Sequence, residues 1–126
     1  LAAPETSFVL IEPMERRVAW LTEESARLGL QNVTVLRARA EEANLPQPVD
    51  QVTARAVSAL RTLVPISRGL LSAGGEMLFL KGASVQDEID AARKQLLKAG
   101  IREPEVLLLG EEIGAEPTRV FRATVV

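Results

Sequence analysis

The spacing of the apolar runs constrains this chain most. Six runs of strand length recur along it: Ser7–Ile11, Val33–Leu36, Asp50–Ala54, Glu76–Leu80, Glu105–Leu109 and Thr118–Val125. Each is shorter than a typical helix and is bounded by turn or helix signals. The first five are separated by long connections, as parallel neighbours require. Met14–Leu28 places Met14, Val18, Leu21, Ala26 and Leu28 at roughly helical spacing. Pro13 suits the first turn of that helix and Gly29 its C-terminal cap. Arg39–Pro48 is polar and holds two prolines, which predicts a loop with at most one helical turn. Leu60–Leu71 reads as a helix bounded by Ser72-Ala73-Gly74-Gly75. Another runs to Ala99, with Ser84 as N-cap, Asp87 in the capping-box position and Gly100 as the stop. Only Gly110–Pro117 joins the last two strands, a hairpin-length connection that makes the final strand antiparallel. The expected fold is a doubly wound α/β domain with a mostly parallel sheet and an antiparallel last strand.

Doubly wound nucleotide-binding domains open with a strand, a Gly-rich turn and a helix. This chain opens with Leu1-Ala2-Ala3-Pro4 and enters directly at what would be the second strand. Leu1–Ala3 reads as the tail of a preceding helix. Residues 1–126 are therefore expected to form one N-terminally incomplete domain whose sheet lacks its first strand.

The missing residue types narrow the chemistry. The chain has no His and no Cys, which removes the usual zinc sites and Ser-His-Asp or Cys-His catalysis. With no Tyr, the Tyr-Lys pair of short-chain dehydrogenases cannot be built. Carboxylates, Arg, Lys, Ser, Thr, Asn and backbone groups remain, which suits an enzyme whose cofactor carries the reactive group, or a protein that only binds. A net charge of −2 argues against a generally basic nucleic-acid binder, so any RNA contact is expected from a local patch. No membrane span or signal peptide is seen, and the cytoplasm is the expected compartment.

Ligands of open α/β sheets bind outside the carboxyl ends of the strands. Glu12 ends the first run, where an acid hydrogen-bonds the ribose hydroxyls of a nucleoside cofactor; the plain alternative is a solvated acid at a helix N-terminus. Ala40-Glu41 follows the second strand, beside the expected adenine position, or is simply surface loop. Thr53-Ala54-Arg55-Ala56-Val57 closes the third strand. The pattern of strands and connections is that of class I methyltransferases, yet this segment lacks the Asn/Asp-Pro-Pro-aromatic motif used on exocyclic amines. The Cys nucleophile of RNA 5-methylpyrimidine enzymes is absent too. What remains is an acceptor nucleophilic when neutral, such as a purine ring nitrogen, for which alignment can supply about 7–11 kcal/mol. Arg55 would then be a positioning cation, or else a salt-bridge partner of a nearby acid. Lys81 ends the fourth strand, and with Arg39 and Arg55 it would form a compact basic patch for phosphate contact. Trp20, Phe8 and Phe79 read as core residues, and Asp87–Lys98 as a solvated helix face.

FVLIEPMERRVAWL, NVTVLRARAEE, VTARAV and LFLKG, in this order, resemble the glucose-inhibited division protein B family, the ribosomal small-subunit methyltransferase G enzymes. The resemblance implies a Rossmann-like class I fold and S-adenosylmethionine (AdoMet)-dependent N7 methylation of one guanine in a loop of small-subunit ribosomal RNA. It implies Glu12 at the cofactor ribose, Ala40-Glu41 at the adenine and Arg55 on the cofactor side of the pocket. Arg39 and Lys81 would hold RNA or the target base, with Arg55 and Lys81 as the catalytic pair. The family's Gly-rich loop and N-terminal helical segment have no counterpart here. The alternatives are a non-catalytic RNA-binding or assembly module and a small-molecule methyltransferase.

Overall fold

A computed structural model describes residues 5–55, 59–101, 103–109 and 118–125. The chain divides into two compact units, Leu1–Asn44 and Leu45–Val126. The expected readings of Leu1–Ala3, of Ala56-Val57 and of the Gly110–Pro117 connection lie outside the described residues.

The first unit holds β1 (Phe8–Glu12), α1 (Glu15–Arg27), β2 (Val33–Arg37) and one 3-10 turn, Ala40–Glu42. β1 and β2 pair in parallel, from Phe8↔Val33 to Glu12↔Arg37. Pro13 precedes the helix, and Gly29, at φ +68°, closes it in the left-handed conformation that only Gly adopts cheaply. Gly29 N–H donates to the Ala26 carbonyl and Leu30 N–H to that of Ser25, satisfying carbonyls left open at the helix end. Val18, Leu21 and Ser25 are half-buried, a stripe at helical spacing. No described residue of this unit is fully buried. Phe8 is 40% and Trp20 60% exposed, which corrects the reading of both as core residues. Trp20 sits off the Val18–Leu21–Ser25 stripe, and Phe8 begins one strand of a two-stranded sheet that cannot enclose it.

The second unit holds β3 (Val49–Arg55), α2 (Leu60–Leu70), β4 (Leu71–Lys81), α3 (Val85–Ala91), α4 (Arg93–Lys98), β5 (Glu105–Leu109) and β6 (Thr118–Thr124). Its sheet order is β3-β4-β6-β5. β3 and β4 are parallel, whereas β6 is antiparallel to both β4 and β5. β3, β4 and β5 thus share one direction and β6 alone opposes them, as the short connection required. The strands form two sheets, β1-β2 and the four-stranded one, where the sequence pointed to one.

Alternation along β4 sends Met77, Phe79 and Lys81 to one face, all buried. Phe121 and Ala123 of β6 face the same side, opposite Phe79 and Met77. The Phe79 and Phe121 rings stack with centroids 5.7 Å apart. Leu60 and Val64 of α2, Val85 and Ile89 of α3, and Leu96 of α4 complete this core. Three local details differ from expectation. β4 begins directly at Leu71, so Ser72–Gly75 lie within the strand instead of separating it from the helix. The helix after Lys81 breaks at the fully buried Ala92, with nothing in the local sequence to announce it. Ser84 precedes α3 without a side-chain cap, so the expected capping box is not formed.

Candidate functional site

In the first unit the carboxyl edge of the sheet gathers Glu12 and the turn that follows β2. Ala38 N–H donates to the Glu12 carbonyl at 3.2 Å, drawing the Arg39–Glu42 turn alongside the end of β1. Glu42 N–H donates to the Arg39 carbonyl at 2.9 Å and closes that turn. Glu12 Oε1 accepts from Met14 N–H at 3.1 Å, which anchors the carboxylate at the start of α1, where the helix dipole favours it. Its Oε2 lies 3.9 Å from Arg17 Nη1, a loose pair with an Arg that is largely exposed. The outer oxygen keeps acceptor capacity, because a carboxylate can take about four hydrogen bonds. Arg39 and Glu41 are exposed. Glu12, Arg39, Ala40 and Glu41, separate in sequence, are therefore neighbours here. The arrangement can take a ribose diol on Glu12 with a base beside the turn.

In the second unit the parallel ladder sets Arg55 opposite Leu80, so Arg55 and Lys81 end adjacent strands at the same carboxyl edge. Lys81 departs from the exposed cation anticipated for phosphate contact. Its side chain is 3% exposed and its Nζ lies 2.6 Å from Glu88 Oε1. The same oxygen accepts from Leu60 N–H at 3.3 Å, at the first turn of α2. The reason is parity: Lys81 continues the inward-facing alternation of Met77 and Phe79, so its aliphatic stem is buried and its charge needs a nearby acid.

Glu88 is the residue that sequence reasoning missed, having been absorbed into a solvated helix face. The signal available was the inward parity of Lys81, which demands a carboxylate within reach. A groove of about 380 Å³ between α2 and α4 is lined by Pro65, Arg68, Lys94, Gln95, Lys98 and Ala99. None of these residues is among the candidate site residues. Among the described residues, no helix is long and apolar enough to cross a membrane.

Comparison with known proteins places the chain in a family. Ribosomal RNA small subunit methyltransferase G of Leifsonia xyli is 58% identical over 125 residues, which are 99% of this chain and 60% of that protein. The enzyme of the same name from Clavibacter sepedonicus is 50% identical over 125 residues, 99% of this chain and 59% of that one. The chain thus spans about three fifths of the length of these relatives. A SAM-dependent methyltransferase from Aquifex aeolicus superposes with a TM-score of 0.66 at 20% identity, covering 95% of this chain and 69% of that structure. The fold is that of class I AdoMet-dependent methyltransferases. A family model described as rRNA small subunit methyltransferase G matches residues 1–116, and the chain belongs to that family.

Proposed function

We propose that this protein is an AdoMet-dependent methyltransferase that modifies N7 of a guanine in a loop of small-subunit ribosomal RNA, acting in the cytoplasm. The observation that carries the reading is the juxtaposition of Glu12 with the Arg39–Glu42 turn at the carboxyl edge of β1 and β2. An acid with spare acceptor capacity beside a tight turn suits a nucleoside cofactor. Glu12 would accept from the ribose hydroxyls, and the backbone of Ala40-Glu41 would meet the adenine edge. Arg55 would face the cofactor from the end of β3, and the exposed Arg39 would approach an RNA phosphate.

AdoMet, when bound, supplies an electrophilic methyl group on a sulfonium. Glu12 and the Ala40-Glu41 turn would hold the cofactor, and a guanine N7, whose lone pair is free when neutral, would need no base to remove a proton. A chain without His, Cys or Tyr is equal to this task, since its residues need only bind and align. RNA loops present unstacked bases at modest cost, which favours such a target.

The test is calorimetric titration of S-adenosylhomocysteine into the chain and into a form extended to its relatives' length. Glu12→Ala and Arg55→Ala are each expected to weaken binding about ten- to a hundredfold, the worth of a charged hydrogen bond. Labelled methyl transfer to small-subunit ribosomal RNA should then yield 7-methylguanine on nucleoside chromatography. Unchanged affinity in both variants would overturn the assignment of these residues. RNA binding without cofactor binding in the extended form would make the protein a binding module.

A further inference from the structure

We infer that the groove between α2 and α4 docks the sugar-phosphate backbone of the RNA, through residues other than those assigned to the cofactor. The inference rests on the reading of the protein as an RNA methyltransferase. Arg68, Lys94 and Lys98 are three of the six residues that line this space of about 380 Å³. No acid lines it, in a chain whose net charge is −2.

Lys94 and Lys98 stand one turn apart on α4, a like-charged pair that weakens a helix unless an anion lies near. Neither they nor Arg68 enters an ion pair among the described residues. Asp90, one turn before Lys94, is engaged by Arg93 and Gln86. The helix dipole accounts for Arg68 and Lys98, which sit in the last turns of their helices. It does not account for Lys94, near the start of α4, where a cation opposes the dipole. Arg68 Nη1 donates to the Leu71 carbonyl at 3.3 Å, which steadies the guanidinium and leaves its other N–H donors for phosphate oxygens.

Gln95 adds a group of a different kind. Its Oε1 is buried with no hydrogen-bond partner among the described residues. The terminal torsion of Gln is soft, so a rotation would offer that acceptor to the groove, where a ribose 2′-hydroxyl can donate to it. Cations beside an acceptor suit a sugar-phosphate chain better than an acidic peptide, whose carboxylates only accept. Contacts of this class fix the register of the RNA without reading its sequence.

The test measures binding of protein-free small-subunit ribosomal RNA to the form extended to the relatives' length, from about 0.15 M to about 1 M salt. Lys94→Gln and Lys98→Gln should each weaken binding about fourfold at the lower salt. Each should also cut the slope of log affinity against log salt by about 0.7. Lys94→Arg should bind like wild type, and S-adenosylhomocysteine affinity should be unchanged in all of these. Arg93→Gln removes the same charge from a residue outside the groove that is tied to Asp90, and should alter the slope little. Gln95→Leu should narrow the preference for RNA over DNA of the same sequence.

Unchanged slopes in both lysine variants, or an equal loss in Arg93→Gln, would overturn the inference, while methyl transfer by the wild type would keep the methyltransferase reading intact. Lysine-dependent binding of polyglutamate with unaltered RNA affinity would give the groove to an acidic protein segment instead. An unchanged preference in Gln95→Leu would overturn the hydroxyl contact. A wild-type protein that neither binds nor methylates the RNA would overturn both readings.

Discussion

Glu76 shows how a single side chain can make the stability of this protein depend on pH. It lies on the outer face of β4, where Oε1 accepts from Gln51 Nε2 at 2.8 Å on β3 and Oε2 from Arg122 Nε at 2.7 Å on β6. The Gln51 hydrogen bond, then the Arg122 guanidinium, hold its carboxyl below the ordinary value of 4.5. The folded pKa is thus depressed relative to the unfolded one. The stabilisation is present above about pH 4.5 and is lost as pH falls through the lower folded value. Glu76→Gln should therefore be less stable than wild type at pH 7, with the gap closing below the usual carboxylate range. Denaturant midpoints for both proteins from pH 7 to pH 3 check this, and a gap that stays constant with pH would refute it. Lys81 and Glu88 obey a different rule because the ammonium is buried. Glu88→Ala removes the carboxylate that faces this buried charge and should cost about 3–5 kcal/mol, far more than loss of an exposed pair such as Arg93–Asp90 would.

Among the elements, β4 and β6 carry the core. Phe121→Ala empties a fully buried site stacked on Phe79 and should cost about 3–5 kcal/mol. Trp20→Ala, on the exposed side of α1, should change stability by only about 0.5 kcal/mol. Thermal melts of both variants decide the matter, and equal losses would show that the burial pattern is misread. Gly75→Ala is a third case at this scale. An added Cβ would stand 2.9 Å from the Ser72 carbonyl oxygen, a backbone atom that cannot step aside, so β4 would have to move. The existence of the strands, the direction of β6 and the ends of α1 were readable from apolar period, connection length and Gly or Pro placement, whereas the start of β4 at Leu71, through the expected Ser72–Gly75 boundary, was not. Less readable were features set by tertiary context. Nothing in Ala92 marks a helix break, and Ser84 looks like an N-cap yet makes no cap bond. The candidate residues Glu12, Arg39, Ala40, Glu41, Arg55 and Lys81 could be named because each lies at or just after a strand end. The partner of Lys81 was not, because Glu88 is seven residues away on a helix whose charges otherwise look solvated.

At the level of the whole molecule, the two compact units differ in what they bury. The second has an apolar core that runs from Leu60 and Val64 through Met77, Phe79 and Leu96 to Phe121 and Val125. The first has no fully buried residue among those described, and its β1 side chains Phe8, Val9 and Leu10 are each more than a third exposed. Backbone pairing of β1 with β2 is complete over five residue pairs, but a two-stranded ladder is marginal unless its faces are covered. Local opening free energies follow buried apolar contact, so the units should protect their amides unequally. Native-state hydrogen exchange on this chain is expected to show rapid exchange for the paired amides of β1 and β2. Those of β4 and β6 should exchange only through global unfolding. The discriminating result is the denaturant dependence: strand amides of the first unit should exchange by small openings nearly insensitive to denaturant, and those of the second by openings whose slope matches global unfolding. Equal protection and equal slopes in both units would mean that Phe8–Glu12 draws its stability from burial this structure does not contain. The exposed β1 residues would then be the first to probe by substitution.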